Sequence, residues 1–386
     1  MQKKVLVFGS TGSVGRNSLE VIEKAADKFE VVGLCGNSNI KEIVKQIRKF
    51  RPKYLCLKDK GSANQLKKRT KIKFKLFSGK QGLEKFSRIK SDVSIMAISG
   101  IDCLKPLLIN IESSKRIALA NKEAVVTGAK FIFPKAKKYK TKIIPIDSEI
   151  NAIFQLLNLT ESGNKEIDKI YITASGGALL NYDKKSLKKV TAKRVLKHPT
   201  WDMGKRITVD SATLVNKGFE AVEAHNFFNI DYKNIEILLH RQSLMHAMIQ
   251  LSDQSCFSCI YAPDMKKPIS YALFYPKRMK LPKIDLDKEK NKYSFSYSPI
   301  PYKKFPLLKI ILEAGKRDDN SLVVLNACDE VVVDLFLNGK IKFTQIEETI
   351  KKIFENYPSK KIKSIGDIYK WDNWARNKTK EILGEK

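Results

Sequence analysis

Short apolar segments alternating with amphipathic ones organise the first 146 residues and leave few folds open to them. The series begins at residues 5–8, Val-Leu-Val-Phe, and passes at once through Gly9-Ser10-Thr11-Gly12-Ser13-Val14-Gly15. It continues into a stretch where Leu19, Val21 and Ile22 follow helical spacing. In a strand, glycine-rich turn and helix of this kind, the backbone can approach a pyrophosphate and the helix N-terminus offers it free N–H groups. Gly-x-x-Gly-x-x-Gly is looser than the usual dinucleotide spacing, and an unliganded turn answers to the same pattern. Further strands read at 29–34, 54–57, 94–98, 117–119 and 143–146, with helices at 40–49 and 128–140 among them. The alternation predicts an α/β chain with an N-terminal Rossmann-like, doubly wound parallel sheet that binds ligands at its strand C-terminal ends.

Where the second strand ends, Asn37, Ser38 and Asn39 stand in place of the acid that would hold a ribose 2′-hydroxyl, with Lys41 close by. An acid there would repel a 2′-phosphate, so its absence favours NADPH over NADH. The formal net charge of +32 invites a nucleic-acid reading. Yet the lysines are spread along the chain without a helix-turn-helix, zinc-finger or RNP signature, and attraction of small phosphorylated molecules is the better use of such a field. No apolar run reaches the ~18 residues of a membrane span, and residues 322–337 are cut by Asp329, Glu330 and Asp334. Six scattered cysteines fit reduced thiols, and Cys256-Phe-Ser-Cys259 lies in a strand-like alternation with no second Cys/His pair. A strand that starts almost at the first residue leaves no room for a leader as written, and a cytoplasmic location is expected.

At residues 144–152 an apolar strand runs into Asp147-Ser148-Glu149 and then into an apolar helix-like stretch. In extended backbone Asp147 and Glu149 share a face, and two convergent carboxylates supply the oxygen ligands preferred by Mg²⁺ or Mn²⁺. A solvated turn leading into an acidic helix start fits the same spacing. Asn121-Lys122-Glu123 lies at another predicted strand end, where the lysine is either catalytic or one half of a solvated pair. Ser175 opens a small-residue turn, Ala174-Ser175-Gly176-Gly177, suited to a phosphate or simply to turning the chain. Asn216, Lys217 and Glu220 fall on one helical face, where Lys217 and Glu220 also satisfy the spacing of an ion pair. Residues 197–205 bring His198, Trp201 and Gly204 together with Pro199 and charge, a composition suited to a closing loop. His225, His240 and His246 read as structural.

We expect an NADPH-binding domain over 1–146, a central α+β domain with the metal and substrate site over 147–280, a linker over 281–304 and a small helical domain over 305–386. Helices are expected at 307–314 and 321–337, followed by one with a capping box at Thr344 and Glu347.

Several motifs then stand in a recognisable order: GSTGSVG from Gly9, LANKE from Leu119, PIDSEINAIFQ from Pro145, ASGG from Ala174, KHPTWDMGKRITVDSATLVNKGFE from Lys197 and NACDEVVV from Asn326. By these the chain resembles the 1-deoxy-D-xylulose 5-phosphate reductoisomerase family along essentially its whole length, with one departure at Asn37-Ser38-Asn39, where some members carry Gly-Lys-Asn. The resemblance implies a homodimer that uses NADPH and a divalent cation to rearrange and reduce a small phosphorylated ketose. The chemistry it implies is retro-aldol cleavage, aldol recombination and reduction of the resulting aldehyde. It assigns the metal to Asp147, Glu149 and Glu220, and catalysis to Lys122, Glu149 and His198. Substrate falls to Ser148, Glu149, Ser175, His198, Trp201, Ser211, Asn216, Lys217 and Glu220. Cofactor falls to Thr11, Gly12, Ser13 and Val14, to Asn37, Ser38 and Asn39, to Asn121, Lys122 and Glu123, and to Gly204. A simple NADP-dependent alcohol dehydrogenase and, more remotely, a basic nucleic-acid-binding protein are the competing readings.

Overall fold

The computed structural model describes residues 1–160, 163–281 and 295–385, so most of the stretch read as a linker lies outside the described residues. It divides into two compact units. The first comprises Met1–Ala124, Ala129–Asn151 and Met265–Leu281; the second comprises Val125–Gly128, Ala152–Asp264 and Pro282–Lys386.

Seven parallel strands form the sheet of the first unit: β1 (Lys3–Phe8), β2 (Phe29–Gly36), β3 (Tyr54–Leu57), β4 (Lys75–Ser78), β5 (Val93–Met96), β6 (Arg116–Leu119) and β7 (Lys142–Pro145). The strands alternate with α1 (Ser13–Glu23), α2 (Ile40–Phe50), α3 (Lys60–Arg69), α4 (Gly79–Ser87), α5 (Leu104–Asn110) and α6 (Lys122–Tyr139), and α7 (Ser148–Leu157) follows β7. Val5, Leu6, Val7 and Phe8 are all fully buried, as expected of a parallel strand covered on both faces. The order β4-β3-β2-β1-β5-β6-β7 reverses direction between β1 and β5, the place where doubly wound sheets open a crevice for ligands. Gly9 follows β1 with φ +76°, and a Cβ built on it would lie 2.2 Å from the Ala97 carbonyl oxygen just past β5. Only glycine closes the sheet at this switch.

Strand β4 and helices α3, α4 and α5 escaped the sequence reading. For α3 and β4 the cause is visible in residues 58–75, where lysines outnumber apolar anchors and β4 is a four-residue, half-buried edge strand. The expectation that Asp147 and Glu149 share a face of extended backbone is corrected, because the strand stops at Pro145 and α7 begins at Ser148.

The second unit has a five-stranded mixed sheet of order β11-β10-β8-β9-β12: β8 (Ile167–Ala174), β9 (Ile235–Leu239), β10 (Met245–Leu251), β11 (Cys256–Ile260) and β12 (Ser298–Pro299). Strands β8 and β9 run parallel, and the remaining pairs are antiparallel. Its helices are α8 (Lys184–Leu187), α9 (Ala192–Val195), α10 (Lys205–Thr213), α11 (Val215–Phe228), α13 (Pro306–Gly315), α14 (Ser321–Leu337), α15 (Phe343–Asn356) and α16 (Ile365–Ile382), whereas α12 (Lys266–Phe274) belongs to the first unit. A continuous apolar core built on Phe219, Ile311, Val324, Phe336, Ile346 and Ile353 joins α11, α13, α14 and α15. The capping expectation at Thr344 is also corrected. Helix α15 starts at Phe343, and the Gln345 side chain accepts the Lys342 N–H at 2.8 Å, two residues before the predicted box.

Gly9→Ala should destabilise the chain by about 3 kcal/mol, through strained backbone and the collision with Ala97. At Gly12, where the nearest obstacle to a Cβ is 3.3 Å away, alanine should cost about 1 kcal/mol or less. Urea unfolding of the two variants measures the difference.

Candidate functional site

On the first unit, the turn after β1 places Gly12 at the N-cap of α1 with no capping side chain. The first N–H groups of the helix, at Ser13 and Val14, therefore lack the usual internal acceptor and face the same way as the positive end of its dipole. A Cβ on Gly15 would meet the Gly9 carbonyl oxygen at 2.3 Å, so this glycine lets the helix fold tightly back over the turn. Asn37, Ser38 and Asn39 are exposed beyond the end of β2. Asn39 caps α2 by accepting the Glu42 N–H at 3.1 Å.

Asn121 is nearly buried, and its side chain makes three bonds to backbone. It caps α6 through the Ala124 N–H at 2.7 Å and donates to the carbonyls of Ile98 at 2.9 Å and Gly100 at 3.0 Å. It thus rivets the loop after β5 to the loop after β6. Next to it the Lys122 ammonium, 8% exposed, meets Asp147 Oδ2 at 2.8 Å. The other Asp147 oxygen accepts the N–H groups of Glu149 and Ile150 at 3.2 and 3.3 Å, which caps α7 and sets the Asp147 carboxyl at the positive end of its dipole. Ser148 Oγ donates to Glu149 Oε2 at 2.6 Å, and Asn151, fully buried, donates to the Pro145 carbonyl at 2.7 Å. Sequence reading missed Asn151, whose signal is an amide four residues past an acid cap in an otherwise apolar helix.

In the second unit, Ser175 Oγ and His198 Nε2 are 2.9 Å apart, although 22 residues separate them in the chain. His198 Nδ1 accepts the N–H groups of Thr200 and Trp201 at 3.2 and 3.0 Å. The ring proton therefore sits on Nε2 and is donated to Ser175. Ser175 Oγ also accepts the Gly177 N–H at 3.1 Å, so what it has left to offer a ligand is its own proton. Gly177 has φ +66°, and its Cβ would lie 2.7 Å from Ala212 Cα, which seats this turn directly on α10 beside Ser211. Trp201 packs edge-on to His246 with ring centroids 5.9 Å apart, and Gly204 caps α10.

Helices α10 and α11 are joined by Leu214 alone, at φ 58° and ψ 16°, a left-handed conformation that costs a branched side chain on the order of 1 kcal/mol or more. The bend gives α11 a new first turn. There Asn216 Nδ2 donates to Glu220 Oε1 at 2.5 Å and the Lys217 ammonium donates to Glu220 Oε2 at 2.7 Å, all three side chains being buried. The ion pair allowed by the spacing is thus present, and Asn216 and Lys217 fix both oxygens of Glu220.

The NACDE stretch, which carried no assigned role in the sequence, supports α10. Arg206 reaches Glu330 at 2.6 Å, Asp329 at 3.1 Å and Asn326 at 3.3 Å on α14, and Arg376 on α16 binds Asp372 at 2.7 Å and Glu330. Burial opposes the charge on Arg376, but Asp372 and Glu330 outweigh it and hold its pKa above the ordinary arginine value. Two adjacent acids in a helix otherwise apolar enough for a core were the available signal.

A doubly wound nucleotide-binding sheet and a second unit with buried acid, amide, lysine, serine and histidine side chains define an α/β enzyme of the oxidoreductase type. Three family models match the chain: 1-deoxy-D-xylulose 5-phosphate reductoisomerase over residues 5–129, its C-terminal domain over 143–228, and the DXP reductoisomerase C-terminal domain over 260–378. The 1-deoxy-D-xylulose 5-phosphate reductoisomerase of Halothermothrix orenii is 40% identical over 390 residues, covering 100% of both chains. That of the Wolbachia of Brugia malayi is 40% identical over 393 residues, covering 100% of this chain and 98% of the relative. The Zymomonas mobilis reductoisomerase in complex with NADPH superposes with a TM-score of 0.91 at 32% identity over 99% of each chain. A DOX-P reductoisomerase in complex with NADPH, fosmidomycin and magnesium superposes with a TM-score of 0.91 at 28% identity, over 100% of this chain and 98% of the other. The chain belongs to the 1-deoxy-D-xylulose 5-phosphate reductoisomerase family.

Arg206→Met removes the guanidinium shared by α10 and α14 while Asp329, 1% exposed, stays buried. Equilibrium unfolding should show a loss of about 3 kcal/mol, the usual scale for breaking a buried ion pair from one side.

Proposed function

We propose that the protein catalyses the NADPH-dependent, divalent-metal-dependent rearrangement and reduction of 1-deoxy-D-xylulose 5-phosphate to 2-C-methyl-D-erythritol 4-phosphate. The carrying observation is the end-to-end match at 40% identity to an enzyme of that name. In this reading residues 1–146 bind NADPH, 147–280 carry the metal and substrate groups, and 305–386 support them from behind.

The donor set suits a hard cation. Asp147, Glu149 and Glu220 offer oxygen only, the ligand chemistry such a cation takes. Bound there, Mg²⁺ or Mn²⁺ supplies a Lewis acid for the ketose oxygens, and NADPH supplies the reducing equivalent. The rest falls to the chain's own groups. Lys122 balances Asp147 and stands ready to hold or pass a proton at a substrate hydroxyl. Asn216 and Lys217 keep Glu220 oriented. Ser175 donates its hydroxyl proton to the phosphate with His198 fixing its orientation, and Ser211, Asn216 and Lys217 complete the phosphate contacts. The segment from His198 to Gly204 closes with Trp201 as its apolar cover and excludes water from the reacting carbons. Thr11, Gly12, Ser13 and Val14 receive the pyrophosphate; Asn37, Ser38 and Asn39 face the 2′-phosphate; Asn121, Glu123 and Gly204 line the nicotinamide side.

A homodimer completes the reading. Strand β11 is a sheet edge with Phe257 52% and Ile260 43% exposed, and an apolar edge of this kind calls for a partner. A cytoplasmic location agrees with six free cysteines and with the absence, among the described residues, of any helix long and apolar enough to cross a membrane.

Purified protein given 1-deoxy-D-xylulose 5-phosphate, NADPH and Mg²⁺ should consume NADPH, and EDTA should abolish this. Persistent turnover in EDTA would remove the metal from the reading. Glu220→Gln should weaken metal binding by roughly 10-fold or more and lower turnover while NADPH affinity is largely kept; an ion pair of purely structural use would leave the metal titration unchanged.

The cofactor assignment is tested at Ser38. Ser38→Asp places a carboxylate where the 2′-phosphate is expected, so kcat/KM for NADPH should fall more than kcat/KM for NADH. Equal losses for the two would remove Ser38 from the cofactor site.

A further inference from the structure

The 22 residues between Ser175 and His198 leave the sheet and return to within one hydrogen bond of their starting point. A second tie pins the outgoing limb of this excursion, where the Lys304 ammonium donates to the carbonyls of Leu180 and, at 2.6 Å, of Tyr182. Within it, residues 184–197 carry seven basic side chains, and no acid follows Asp183 until Asp202. All seven are exposed, and none forms an ion pair among the described residues. Lys184 acts electrostatically on Glu347, yet the excursion that Ser175 and His198 close at its base carries seven basic side chains against the single acid Asp183.

We infer that residues 184–197 form an electrostatic collar that draws phosphate monoester dianions toward Ser175 and His198, raising capture of the ketose phosphate without taking part in its chemistry. The inference rests on the assignment of Ser175 and His198 to the substrate phosphate. Attraction of this kind acts alike on ground and transition states, so it enters kcat/KM through KM and leaves kcat alone. Screening removes it: raising the ionic strength from ~25 mM to ~400 mM shortens the Debye length from roughly 20 Å to roughly 5 Å.

The chain supplies its own control. Lys67, Lys68 and Lys71 are equally exposed and unpaired, but lie where α3 returns to the N-terminal end of β4, at the sheet edge opposite the glycine-rich turn. The triple variant Lys185→Glu, Lys189→Glu and Lys193→Glu should lower kcat/KM for 1-deoxy-D-xylulose 5-phosphate by about 3- to 10-fold at low salt. The loss should vanish at high salt, with kcat unchanged throughout. The triple variant Lys67→Glu, Lys68→Glu and Lys71→Glu changes net charge equally and should stay within about twofold of the parent. Glutamine at 185, 189 and 193 should give an intermediate loss, which guards against misfolding of the charge-reversed chain. Turnover by the unaltered protein reports separately on the assigned reaction. Three outcomes overturn the collar: equal losses in the two glutamate triples, a loss that survives high salt, or an equal fall in kcat/KM for NADPH, which would make the field one for phosphates in general.

Discussion

Keeping carboxylates ionised inside a protein is costly unless each oxygen finds a donor or a cation, and the site is built around meeting that demand. Asp147 has Lys122 on one oxygen and two backbone N–H groups on the other. Glu149 takes the Ser148 hydroxyl, and Glu220 has an amide and an ammonium. Apart from Lys122, which comes from the start of α6, each partner lies on the helix that carries or follows its acid. Such compensation is partial by design. Asp147 and Glu220 each have one oxygen on a lysine and the other on neutral N–H donors, whereas Glu149 takes a hydroxyl from the adjoining residue.

The left-handed Leu214 shows how geometry is obtained in the second unit. A straight helix over 205–228 would place Ser211 and Glu220 nine positions apart, on opposed sides of the cylinder. Breaking it at one strained residue lets α10 present Ser211 beside the Ser175 turn while α11 begins afresh with Asn216 and Lys217. The strain is maintained by what surrounds it: Gly177 against Ala212, Arg206 tied to α14, and Gly218 so close to Ile311 that its Cβ would lie 2.9 Å away.

Much of this could be read from the sequence, for identifiable reasons. Strands β1, β2, β3 and β6 and the long helix α14 carry strong apolar periodicity, and the glycine-rich turn has a steric signature that depends on neighbouring residues alone. The lysine-rich stretch over 58–75 hid α3 and the start of β4 because α3 exposes most of its surface and few apolar residues mark its buried face. Asp147 and Glu149 were recognised as convergent from the wrong backbone, since a strand end and a helix start can both bring i and i+2 carboxylates near each other. The Ser175–His198 bond was out of reach of local pattern altogether, because it joins residues 23 positions apart through an excursion with only two short helices. The same holds for Arg206 and Glu330, whose pairing depends on the packing of distant helices.

The Ser175–His198 bond also determines how the chain between them can change over time. Once two ends are fixed together, lengthening the intervening loop costs only a slowly growing closure entropy, about 0.6 kcal/mol for a doubling in length. Leu179 and Val195 anchor the excursion in the apolar core, so changes of length are cheap only at the exposed positions between them, such as 183–186 and 188–189. At those positions the chain can change length with the serine and histidine beneath it still in register.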